Sequence, residues 1–195
     1  NLANVLFVSR NIAMAVQLVQ VVVVKEPLYN MNKSIIFMAI FLVSTNGFGQ
    51  SSIDGVLKKY NDQSVPYIYV EELSDLKTPT IILDTREASE YEVSHLENAI
   101  TVGFDDFEIS KIETLGIHKN SAIVVYCSVG VRSEIIGKQL LAAGYTTVYN
   151  LYGGIFEWIN SDKKVYSAKQ QQTLKVHAFS KKWGKYLLKG IKIYE

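Results

Sequence analysis

The chain is 195 residues long, 48% hydrophobic and 20% charged, with a formal net charge of +1. Those values leave room for one globular domain with its own core and exclude a low-complexity or intrinsically disordered chain. A single cysteine, Cys127, excludes an intramolecular disulfide framework, and three well-separated histidines, His95, His118 and His177, argue against a structural zinc cluster or any other metal site.

In chain order, residues 1–30 come first, and their apolar stretch is interrupted by Arg10, Gln17 and Gln20. The expectation is that translation starts at Met31, which makes residues 1–30 an artefactual or disordered upstream segment. Residues 31–50 have the three parts of a secretory signal: Lys33, an apolar run over 35–43, and small residues at Gly47 and Gly49. The run is too short for a membrane anchor, which takes roughly 20 apolar residues. It predicts an exported protein, periplasmic or secreted, with no stable membrane anchor. If the signal is not used, the protein stays in the cytoplasm.

Charge divides the remainder. Residues 51–162 carry 8 basic and 17 acidic side chains, whereas residues 163–195 carry nine lysines and one acid. This predicts a lead-in over 51–66, a compact acidic domain over 67–162, and a basic C-terminal extension over 163–195. Within the domain, apolar runs at 80–84, 122–127 and 148–151 suit strands buried on both faces of a parallel sheet. Residues 67–70 and 99–102 are weaker strand candidates. Between the runs, residues 133–143 place Ile136, Leu140 and Leu141 on one helical side, with Gly144 as a stop. A second helix, 155–160, follows Gly153-Gly154. Alternation of this kind predicts an α/β domain. In open α/β sheets, sites form beyond the carboxyl ends of the strands, where Cys127 stands.

The residues after Cys127 decide between an inert buried thiol and a reactive one. Ser128, Val129, Gly130 and Val131 separate it from Arg132, and a helix begins near Ser133. A loop this short, with Gly130 free to take unusual backbone angles, can turn its amides toward one point. The helix N-terminus adds partial positive charge and Arg132 a full one. All three favour thiolate, and such surroundings lower a cysteine pKa from about 8.5 to roughly 3.5–7.5.

The segment from Tyr126 to Ser133 resembles the active-site loop of single-domain rhodaneses. Three further motifs agree in order and spacing. Leu83-Asp84-Thr85-Arg86-Glu87, with Glu90-Tyr91 after it, is similar to the family's aspartate-x-arginine stretch. Ser94-His95-Leu96-Glu97-Asn98-Ala99 is similar to its glycine-histidine segment, and Tyr152-Gly153-Gly154-Ile155-Phe156-Glu157-Trp158 to its closing motif. Ser94 and Asn98 depart from the family's small residues, outside the reactive loop.

The resemblance implies a rhodanese-like α/β fold, a twisted, mainly parallel sheet of about five strands with helices on both faces. It implies a sulfurtransferase needing no cofactor. Cys127 takes sulfane sulfur from a small anionic donor such as thiosulfate and passes the persulfide sulfur to a thiol or cyanide. A protein sulfur acceptor is a further expected partner; nucleic acid is not expected. Arg132 is expected to grip oxyanions with two hydrogen bonds. The amides of Ser128, Val129, Gly130 and Val131, with Ser133, are expected to form the cradle, and Val129 and Val131 an apolar rim. Asp84, Arg86 and His95 are expected to brace the site, and Trp158 to pack in the core. The aromatic residues among the lysines of 163–195 are expected to pack a solvated face onto the domain. Two rivals remain. A cysteine-dependent phosphatase would place one residue more between cysteine and arginine, and a non-catalytic binding module would commonly lack the cysteine.

Overall fold

The computed structural model describes residues 52–194. The upstream segment and the secretory signal expected over 1–50 lie outside the described residues. Among the described residues no helix is long and apolar enough to cross a membrane.

Helix α1 (Ile53–Tyr60) opens the chain, with Ser52 accepting the Gly55 amide as its N-cap. There follow β1 (Tyr67–Ile68), α2 (Val70–Asp75), β2 (Thr80–Asp84), α3 (Ala88–Val93), β3 (Ile100–Thr101) and α4 (Ile109–Thr114). The central strand β4 (Ala122–Tyr126) leads to α5 (Arg132–Ala142), β5 (Thr147–Leu151) and α6 (Gly154–Asn160). The extension adds β6 (Val165–Tyr166), β7 (Gln172–Thr173), β8 (Lys175–His177), α7 (Lys181–Gly184) and β9 (Ile191–Ile193). The main sheet has five strands in the order β1-β5-β4-β2-β3, all pairs parallel.

The long apolar runs are the strands buried on both faces. In β4, Ile123 and Val125 pack with Ile112, Ile136 and Leu140 on one side of the sheet. Val124 and Tyr126 pack with Val56, Leu73, Ile155 and Phe156 on the other. Alternate side chains of a strand point to opposite faces, so two buried faces leave β4 apolar apart from the Tyr126 hydroxyl. The sheet is therefore α/β with helices on both faces, as the sequence predicts.

The differences are local. Val70 begins α2 instead of ending β1, and Arg132 is the first residue of α5 instead of preceding it. Ala99 and Val102 flank a two-residue strand. The larger difference is the extension. Its lysines are solvated, but Val165, Val176, Ala178 and Leu187 are fully buried and join the core on the β4 face that carries Val124. Backbone bonds sew it to the domain: His95 and Tyr166 exchange amide hydrogen bonds of 2.8 and 2.9 Å, and the Ala168 amide donates to the Glu92 carbonyl at 3.3 Å; within the extension, β8 pairs in parallel with β9. Residues 52–194 thus lie in one compact unit.

Strand order reverses between β2 and β4: the chain moves outward from β2 to β3 on one side, and from β4 to β5 on the other. The carboxyl ends of β2 and β4 border the crevice such a reversal creates. Asp84 and Tyr126, the last residues of the two strands, are register partners there, and Cys127 follows.

Candidate active site

Cys127 is buried, at 1% exposure, between the end of β4 and the start of α5. Helix α5 has no side-chain N-cap, so its first amides need another acceptor. The Gly130 amide donates to Sγ at 3.2 Å, and Ser133, at the start of α5, also favours the charged form of the sulfur. Burial is the largest influence on the thiol and opposes ionisation. The Arg132 charge and the Ser133 and Gly130 hydrogen bonds together outweigh it, and the Cys127 pKa is lowered.

The loop's shape comes from glycines and asparagines. Gly130 sits at φ 102°, a conformation that L side chains rarely adopt. Its carbonyl accepts from Asn61 Nδ2 at 2.8 Å and Asn150 Nδ2 at 2.9 Å. Asn150 also donates to Glu134 at 3.0 Å and accepts from the Ser133 hydroxyl at 2.8 Å. The one Ser133 proton therefore serves Asn150 or the thiolate, not both together. From below, the Ile155 amide donates to the Cys127 carbonyl at 3.0 Å and the Phe156 amide to that of Ser128 at 3.1 Å. This contact requires Gly154: a Cβ there would lie 2.2 Å from the Cys127 carbonyl oxygen.

Arg132, expected to grip an oxyanion, is paired with a carboxylate in this structure. Its two terminal nitrogens are committed to Glu90, at 2.7 and 2.8 Å, so the fork expected to grip an oxyanion already holds a carboxylate. Nη2 also reaches the Ser128 hydroxyl at 3.1 Å, which in turn donates to Glu90 at 3.2 Å. The Ser128 side chain thus belongs to the site's polar network, beyond the backbone role expected of it. Burial opposes the Glu90 charge, but Arg132 outweighs it and holds the carboxyl below its usual range. Of the loop amides, that of Gly130 points to the sulfur. Those of Ser128, Val129 and Val131 donate to no other described residue. Val129 and Val131 line the cavity above the cysteine.

Asp84 and Arg86 form a fully buried ion pair behind the loop. Arg86 Nε donates at 2.9 Å and Nη2 at 2.6 Å, and the Arg86 amide adds a bond of 3.0 Å. Arg86 Nη2 also holds the Ser94 carbonyl at 2.6 Å, and the Tyr126 hydroxyl donates to Asp84 at 2.5 Å. The pair ties β2, β4 and the 94–96 loop together without lining the cavity. His95 is likewise a loop fastener: it stacks on Tyr91 at 3.9 Å, and Nδ1 lies 3.0 Å from the Tyr91 carbonyl. Trp158 packs against the core, its indole N–H donating to the Lys164 carbonyl at 2.9 Å.

The extension supplies residues that sequence reasoning did not assign to the site. Phe179 and Trp183 line the cavity over Cys127, and the Arg132 guanidinium carbon lies 5.0 Å from the Phe179 ring centroid. Phe179 takes φ 61°, its amide donating to His177 Nδ1 at 3.2 Å. That bond makes Nδ1 an acceptor, so its 3.9 Å approach to Glu90 is not an ion pair of protonated histidine. Burial lowers the His177 pKa, against the pull of Glu90.

A buried cysteine with a lowered pKa, in the turn at the strand-order reversal of a parallel sheet, marks the candidate site of an α/β domain. Residues 69–161 match the family model of the Rhodanese-like domain, and the chain carries a rhodanese-like domain over that span. Among curated proteins it is similar to the tRNA uridine(34) hydroxylase of Hamiltonella defensa, 35% identical over 103 residues, covering 50% of this chain and 29% of that protein. The protein of the same name from Buchnera aphidicola is 32% identical over 120 residues, covering 57% and 36%. The chain thus spans about a third of the length of these curated relatives, 29% and 36%. Among solved structures, thiosulfate sulfurtransferase from Pseudomonas aeruginosa aligns with a TM-score of 0.49 at 22% identity, covering 63% of this chain and 23% of that one.

Proposed function

We propose that this chain is a sulfurtransferase in which Cys127 carries sulfane sulfur as a persulfide. The observation that supports it is the seat of Cys127: a buried thiol whose ionised form is favoured by Gly130, Ser133 and Arg132. In the first half-reaction the thiolate attacks the outer sulfur of a donor such as thiosulfate. A sulfur–sulfur bond forms at Cys127, the donor's own breaks, and sulfite leaves with the bonding pair. In the second, a thiolate or cyanide attacks the outer sulfur of the persulfide and releases the Cys127 thiolate. The loop amides and the start of α5 offset the negative charge that persists on sulfur throughout. The acceptor is a small thiol, cyanide, or a protein thiol. With no second cysteine in the sequence, the persulfide is not resolved into an internal disulfide.

The test is steady-state sulfur transfer from thiosulfate to cyanide by the full chain. The expected result is a two-step pattern, with parallel double-reciprocal plots, abolished by Cys127→Ser. Hydrolysis of an aryl phosphate lost in Cys127→Ala would replace sulfur transfer by phosphatase chemistry. Hydroxylation of a tRNA uridine, the activity named for the relatives, is a second reading, supported by their 35% identity over 103 residues. Hydroxylated tRNA formed by the full chain, with no sulfur ever loaded on Cys127, would put that reading first. We propose also that residues 31–50 direct export. N-terminal sequencing of the mature protein tests this, and a mature start before Met31 would contradict it.

A further inference from the structure

The cavity above Cys127 has a volume of about 180 Å³ and is lined by Cys127, Ser128, Val129, Val131, Arg132, Phe179 and Trp183. It lies below the roughly 300–1,000 Å³ that takes a drug-sized ligand, and suits one ring or a short branched chain. Its walls are two valines and two aromatic rings. Its one cation is already spent. Both terminal nitrogens of Arg132 are on Glu90, and its guanidinium face is covered by Phe179, with Phe104 at 6.0 Å. Glu90 and Arg132 cancel, so the Cys127 thiolate leaves the site with net negative charge. A dianion such as thiosulfate meets that charge with no free cation among the described residues that line the cavity.

Resting on the sulfur-transfer reading, we infer that the donor is an organic sulfane-sulfur compound, whose aromatic or branched apolar group sits between Phe179 and Trp183. Both rings come from the extension, beyond the residues 69–161 that match the family model. In the sulfur-transfer step, Cys127 thiolate attacks the terminal sulfur of an aryl thiosulfonate. The Cys127 persulfide forms, the donor sulfur–sulfur bond breaks, and aryl sulfinate leaves with the electron pair. Charge is conserved, with two single negative charges before and after. The apolar group touches the cavity walls in both ground and transition states. Its benefit therefore falls on kcat/KM.

Benzenethiosulfonate and methanethiosulfonate carry the same charge and the same reacting sulfur, so their ratio isolates the ring. Single-turnover loading of Cys127 in the full chain should favour the benzene donor in kcat/KM by about tenfold or more, a common worth of a filled apolar pocket. Phe179→Ala and Trp183→Ala should each lower that ratio several-fold, and Trp183→Phe should retain it. Phe179 is 49% exposed, so its truncation does not open the core. Circular dichroism checks that each variant is folded. A ratio within about twofold of unity in the wild-type protein, or a ratio unchanged in folded Phe179→Ala and Trp183→Ala, overturns this inference alone. Loading by neither thiosulfonate nor by thiosulfate overturns the sulfur-transfer reading itself.

Discussion

The buried pair of Asp84 and Arg86 makes a quantitative prediction that separates bracing from catalysis. Asp84→Asn keeps the shape of the side chain but removes its charge. It leaves the guanidinium of Arg86, at 0% exposure, facing an amide that cannot neutralise it. Four bonds from Arg86 and one from Tyr126 now end on Asp84, between 2.5 and 3.2 Å. Breaking a buried pair by removing one partner costs about 3–5 kcal/mol. Against a total stability of roughly 5–15 kcal/mol, that is a large fraction. For a domain of this size it lowers Tm by about 10–15 °C. Thermal unfolding followed by circular dichroism measures the loss. Sulfur loading well below the transition should stay within about threefold of wild type, because the pair lies outside the cavity that receives the donor. The reasoning fails if Asp84→Asn is as stable as wild type to within about 1 kcal/mol, or if the folded variant no longer loads sulfur.

Other predictions follow from the geometry of the loop. The alkylation rate of Cys127 by iodoacetamide should fall as pH drops through a midpoint below the free-thiol value of about 8.5. Arg132→Ala removes the charge and should move that midpoint upward; a wild-type midpoint at or above the free-thiol value contradicts the account. Glu90→Gln releases the Arg132 fork, so KM for thiosulfate should fall several-fold relative to benzenethiosulfonate; an unchanged ratio would show that the fork does not exclude anions. Gly154→Ala places a Cβ 2.2 Å from the Cys127 carbonyl at φ 55° and should destabilise by about 3 kcal/mol or more in urea unfolding. A variant within about 1 kcal/mol would mean the backbone there yields easily.

Much of the domain was legible in the sequence because its strands are continuous apolar runs. Ile123 to Val125 are wholly apolar because both sheet faces are covered, and the carboxyl end of that run places Cys127. Motif position also singled out Asp84, Arg86 and His95, which the structure places in hydrogen bonds behind the loop. What stayed hidden was pairing across distance. Glu90 lies 42 positions before Arg132, and nothing local marks it as the acceptor of that fork. Asn61 and Asn150 hold one carbonyl from opposite ends of the domain. The strands of the extension were not legible because they are two or three residues long and its lysines dominate the composition. Their periodicity is too short to read, and their stability comes from pairing and from Val176, Ala178 and Leu187 in the core. The available signal was Phe179 and Trp183, large aromatics in a run of lysines. Their direction toward Cys127 is a tertiary fact.

The central claim is that Cys127 carries sulfane sulfur. Intact mass spectrometry of the full chain after brief exposure to thiosulfate or benzenethiosulfonate tests it most directly. The account predicts a gain of one sulfur atom, absent in Cys127→Ser and removed when a thiol acceptor is added. No gain with any sulfane donor, or a gain that persists in Cys127→Ser, would contradict it.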